Sequence, residues 1–247
     1  MKKCVFVWAI AMLVTSLASA RAFAQSSGSF AGDFVKMDII PTITCAADDT
    51  DLTCTRGGAA FLGATIKMPA AKGKALLIAG SLQTNLLTST SATGGKTGTQ
   101  TSSATGSIVV TPEVTGPNGQ DVPVFPPAVT FEERTQQLTA NLSGCITNLD
   151  PATGLPMITC TTPETISLLL STMSAHSFNF LAQNVGSGIY TVKLNIGATA
   201  TANSTSVGFN SKVNVGVGVG SLAVQLVQVQ TPFNSLCFDL VNGTSCP

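Results

Sequence analysis

The chain has one histidine, His176, one tyrosine, Tyr190, and one tryptophan, Trp8, in 247 residues. A single imidazole rules out the zinc hydrolase sites that draw on several histidine ligands. It also leaves any serine nucleophile only His176 as its base, and no serine lies in a G-x-S-x-G elbow. Charge is scarce too, at 10% of residues, and no basic cluster is present. Nucleic acids and anionic membrane surfaces, which are bound largely through neutralised phosphates, are therefore not expected partners. There is no C-x-x-C and no EF-hand pattern. The GVGVG run, Gly216 to Gly220, meets Ser221 where a dinucleotide loop needs its third glycine.

Long apolar runs are absent beyond the first two dozen residues, and there the pattern is informative. Lys2 and Lys3 precede an apolar stretch from Cys4 to Val14, and Ala22-Phe23-Ala24 supplies an A-x-A cleavage signature. Residues 1–24 are expected to be a signal peptide. Its apolar part is shorter than the roughly 20 residues that span a bilayer, so the mature chain should carry no membrane span. Cleavage near Ala24 gives a bacterial-type exported protein, secreted, periplasmic or on the cell surface. Losing Lys2, Lys3 and Arg21 leaves 9 basic residues against 12 acidic, a mildly acidic chain without tryptophan.

Six cysteines then remain, in three close pairs along the chain: Cys45 with Cys54, Cys145 with Cys160, and Cys237 with Cys246. Six cysteines allow 15 connectivities, but the clustering favours local bridges, suited to an oxidising compartment. Each would close a short loop and contribute about 3 kcal/mol. The first loop also holds Asp48, Asp49 and Asp51. Such a set of oxygen ligands would suit calcium, and the competing reading is a solvated hairpin tip. No other cofactor is implied.

Alternation with a period of two dominates the rest. A flexible leader over residues 25–32, a single domain over 33–231 and a disulfide-closed tail over 232–247 are expected. Residues 59–69 and 74–88 read as strands around an AAKG turn, and residues 89–107, rich in Ser, Thr and Gly, as a flexible loop or polar edge strand. The prolines of VPVFPPAV keep it from being a central strand. Phe178 and Phe180, then Tyr190 to Ile196, alternate around a turn and read as a hairpin. In KVNVGVGVGSLAVQLVQVQ the apolar parity slips from odd to even, which calls for a bulge, bend or hairpin near Gly220. One helix signal stands out over residues 163–174. Thr162 could cap it, Pro163 suits its first position, Glu164 its dipole, and Ile166, Leu169, Leu170 and Met173 its apolar stripe. His176 would then lie at a helix-to-strand junction.

Eight to ten strands with no βαβ alternation define an all-β fold, an antiparallel β-sandwich of jelly-roll type with one short helix. Gly188, Tyr190 and Val192 form a G-x-Y-x-V arm that resembles the equivalent strand in jelly-roll families such as the C1q and tumour necrosis factor group. The resemblance covers a few residues, implies that fold and carries no site.

Two functions fit. The first is non-enzymatic surface binding or assembly, with a cell-surface or extracellular component or a further copy as partner. Residues 212–230 are the strand to suspect as a donor to another sheet. The second is a glycosidase-like hydrolase whose carboxylates would come from Glu113, Asp121, Glu132 and Glu133. Adjacent Glu132 and Glu133 should face opposite ways on a strand, and a chain this poor in aromatics has few platforms for sugars.

Overall fold

A computed structural model describes residues 29–35, 38–48, 50–69, 74–93, 100–140, 145–150, 152–160, 165–205 and 208–228. The expected signal peptide and C-terminal tail lie outside them, as do Asp49, Cys237 and Cys246. Twelve strands follow in order: β1 (Phe30–Val35), β2 (Ile40–Ala47), β3 (Thr53–Met68), β4 (Lys74–Thr93), β5 (Gln100–Thr115), β6 (Val124–Phe125), β7 (Val129–Ala140), β8 (Cys145–Leu149), β9 (Pro156–Cys160), β10 (Thr165–Ala182), β11 (Gly188–Ser204) and β12 (Phe209–Gln228). The first sheet runs β1-β12-β4-β10-β6, with β2 also on β12. The second runs β3-β11-β5-β7, and β8 and β9 form a separate two-stranded ribbon. All pairings are antiparallel. The two main sheets face each other as a β-sandwich, with Leu62, Ile66, Leu76, Ile78, Leu82, Leu86, Ile108, Phe180, Leu194, Ile196, Val213 and Val215 among the side chains closing the core.

Burial alternates along the strands as the period of two requires. The Ser/Thr/Gly-rich stretch also obeys it, because β4 continues to Thr93 and β5 begins at Gln100. Thr88, Thr90, Ala92, Ser102, Ala104 and Gly106 point inward while their neighbours face out. Small inner residues let these polar strands pack within the sandwich. The parity slip in β12 is a bulge. Val217 pairs with Thr84 and Gly220 with Leu82, so Gly218 and Val219 together oppose Gln83. Val213, Val215 and Val217 before it and Leu222 and Val224 after it thus all reach the core.

The structure departs from the expectations at several further places. Residues 165–174, read as most of a helix, are the first half of β10, and no helix occurs among the described residues; the capping residues 162–164 lie outside them. The Leu168-Leu169-Leu170 run fits a helical stripe and a strand equally, and an unbroken ladder from Thr165 to Ala182 along β4 decides for the strand. His176 is consequently mid-strand. The expected hairpin of residues 178–196 is an arch, because β10 and β11 lie in different sheets. Apolar faces that meet across a core show the same alternation as faces lying side by side in one sheet. β12 is no free donor, being held between β4 and the β1 and β2 strands. The sheet begins at Phe30, inside the stretch expected to be a flexible leader.

Candidate functional site

Several inward-facing polar side chains of the sandwich meet along one seam, where β7 crosses over β4 and β10. Glu132, Arg134 and Gln136 alternate along β7 and project into it. Glu132 joins this row through a bulge: Ile108 pairs with Glu132 and Val109 with Thr130, so Phe131 has no opposite residue and both Phe131 and Glu132 turn inward. Glu133 faces out, as its adjacency to Glu132 requires.

Glu132 Oε2 accepts hydrogen bonds from Thr84 Oγ1 at 2.5 Å and from Ser174 Oγ at 3.4 Å. His176, half-buried one pleat further on, meets Ser174 Oγ through Nε2 at 2.8 Å and packs edge-on to Phe131, with ring centroids 6.2 Å apart. Arg134 donates through Nη2 to Thr172 Oγ1 and through Nη1 to the Leu86 carbonyl. Gln136 is buried, with both amide protons and its oxygen engaged. Its Oε1 accepts from Thr88 Oγ1 at 2.7 Å, and its Nε2 donates to Thr90 Oγ1 at 2.9 Å and to the Leu168 carbonyl at 2.6 Å. A hydrolytic triad would need the acid to orient the imidazole. Here the carboxylate bonds hydroxyls from two strands, so the seam fastens the sheets together.

The other carboxylates lie apart. Glu113 faces outward from β5, 3.9 Å from Lys193 Nζ, and accepts from Asn195 Nδ2 at 3.2 Å. Asp121 lines a cleft of about 650 Å³ at one end of the sandwich with Gln120, Asn184 and Tyr190, and no second carboxylate lines that cleft. Among the described residues, Glu113, Asp121, Glu132 and Glu133 are therefore not brought together across a groove.

In the first disulfide loop, Cys45 and Cys54 are bridged, with Cα atoms 5.7 Å apart. Asp48 Oδ1 accepts hydrogen bonds from Thr50 N, Thr50 Oγ1 and Asp51 N. The Thr50 hydroxyl first, then the two amides, hold this carboxyl below the ordinary aspartate range. The carboxylate is committed to its own turn. Cys145 lies opposite Cys160 in the β8–β9 register.

The most unusual surface is β10. From Thr165 to Phe180, none of the described residues pairs with it on the side away from β4, and β6 reaches only Leu181 and Ala182. Ile166, Leu168 and Leu170 are exposed on its inner row, and Leu169 and Met173 on its outer row. Its sequence, TISLLLSTMSAHSFNFLA, holds no Asp, Glu, Lys, Arg or Pro.

No protein-family model and no curated protein matches the chain. Among solved structures it is distantly similar to the enzymatically active domain of tailspike protein 4 of bacteriophage CBA120, at 12% identity over 77% of this chain and 19% of that one, with a TM-score of 0.16. A CocE/NonD family hydrolase from Staphylococcus aureus matches at 9% identity, over 79% and 38% of the two chains, with a TM-score of 0.18. Infectious bursal disease virus, Gt strain, matches at 10%, over 84% and 43%, with a TM-score of 0.18. The chain spans less than half the length of each. Likeness this slight carries no argument about role, so the class rests on the chain's own topology: a two-sheet antiparallel β-sandwich.

Proposed function

We propose that this is an exported, non-enzymatic β-sandwich that works by surface binding or assembly, through the open edge of β10. The observation that supports this reading is the edge itself: an uncharged strand with large apolar side chains exposed on both rows. Natural sheets blunt their free edges with charge, proline or cover, and an unguarded edge is a template for strand addition. Burying each Leu or Ile exposed there would favour association by up to about 1.5–3 kcal/mol. The N-terminal pattern and the local cysteine pairs support export.

The test is retention of the purified mature protein on the surface of the cells that produce it, alongside a panel of chromogenic glycosides and esters. Retention is expected, and Leu169→Lys/Met173→Lys should abolish it. Turnover that disappears in Glu132→Gln or Asp121→Asn would establish the hydrolase reading instead.

A further inference from the structure

We infer that the partner of the β10 edge is a second copy of this chain, its own β10 paired antiparallel across a two-fold axis. The inference rests on the surface-binding reading and specifies its partner. Composition of the edges singles out β10. Among the described edge strands, β3 carries Arg56 and Lys67, β7 carries Glu132, Glu133 and Arg134, β1 carries Asp33 and β2 carries Pro41. Of the long edges, only β10 has none of these guards. About a two-fold axis a charge near the axis meets its own copy, and like charges directly opposite are destabilising. β10 has no charge to oppose, so pairing with itself incurs no such repulsion.

The two exposed rows also select the mode. Leu169 and Met173 are 63% and 68% exposed on one face, while Ile166, Leu168 and Leu170 are 44–45% exposed on the other. A partner lying on one face would leave the other row wet. A strand added in the plane of the sheet flanks both rows. Antiparallel pairing about a two-fold axis is self-complementary and closes at two copies. With the axis at Thr172, Ile166 of each copy lies beside Phe178 of the other, an aliphatic–aromatic cross-strand pair of two exposed residues. The overlap from Thr165 to Asn179 is a strip about 50 Å long and about 10 Å tall, or roughly 500 Å² per copy and ~1,000 Å² in all, the lower bound for a specific interface.

The seam supports this geometry from beneath. Gln136 Nε2 holds the Leu168 carbonyl, and Arg134 holds Thr172, so β10 is fixed to the facing sheet along the stretch that would pair. The Leu168 carbonyl keeps a second lone pair for a neighbouring strand.

The experiment is sedimentation velocity of the mature full chain from about 1 µM to about 500 µM, a range spanning the affinities open to such an interface. Amide hydrogen exchange is followed at both ends of that range. A monomer–dimer equilibrium is expected, with protection of residues 166–179 rising with concentration. Leu169→Lys/Met173→Lys places up to four cations along the joint, on a face where both side chains are already exposed. It should weaken dimerisation at least tenfold with an unchanged circular dichroism spectrum, and Met173→Lys alone should weaken it in the same direction. A wild-type monomer throughout, or a dimer indifferent to both variants, would overturn the inference. So would a monomer whose β10 amides are protected at every concentration, since the edge would then be covered from within its own chain. Failure of the broader reading shows elsewhere, as cell-surface retention that both variants leave intact.

Discussion

Gly106 lies on the inner row of β5, where an added Cβ would fall 2.2 Å from Leu86 Cδ1 and 2.8 Å from Val215 Cγ2. Both neighbours are fully buried and have nowhere to retreat. Gly106→Ala should destabilise by about 1–3 kcal/mol, seen as a lower urea midpoint at unchanged slope. Gly197, on the outer row of β11, has its nearest would-be contact at 3.9 Å, and Gly197→Ala should be neutral or slightly stabilising. Equal effects at the two sites would contradict the burial described for them. Rarity drew the eye to His176 and Tyr190, and the fold makes Tyr190 a core residue and His176 one member of a polar seam. The rest of that seam was not legible. Glu132, Arg134 and Gln136 alternate with Glu133, Thr135 and Gln137, so the strand is polar on both rows and has no contrast to say which faces in. Only the facing hydroxyls of Thr84, Thr88, Thr90 and Ser174 decide it, and they come from other strands.

At the level of elements, what the sequence revealed depended on whether an element's pattern admitted one period or two. In β12 the valines, and the leucines and valine that follow, could both be buried only with a break in register, and the bulge at Gly218–Val219 supplies it. In β10 the triple leucine satisfied a helical stripe and a strand alike, and the deciding fact is its pairing with β4, some 90 residues earlier in the chain. The bulge yields a test. Deleting Gly218 would leave Val219 alone opposite Gln83, so Val217 stays opposite Thr84 and Gly220 opposite Leu82, and Leu222 and Val224 keep facing the core. The deletion should therefore fold, with a melting temperature close to the parent's, and so should Gly218→Ser, whose new Cβ would meet the Gln83 side chain. A deletion variant that is unfolded or insoluble would mean that the bulge does more than reconcile the two registers.

Across the whole molecule, the sandwich class was legible because alternation pervades the chain, while strand order was not, since alternation does not say whether two apolar faces lie side by side or across a core. The order has a further consequence. Among the described residues β1 and β2 pair only with β12, β3 only with β11, and β4 with β10 and β12, so the first four strands find their partners in the last three. Contacts this distant along the chain slow folding, and refolding from urea with disulfides intact should take milliseconds to seconds or longer. Microsecond refolding in a temperature-jump or rapid-mixing experiment would contradict that ordering. In a chain delivered N-terminus first, the opening third has nothing to pair with until the closing third arrives. Under the proposed export, such a chain stays threadable for most of its passage and completes its sheets only once almost all of it is on the far side.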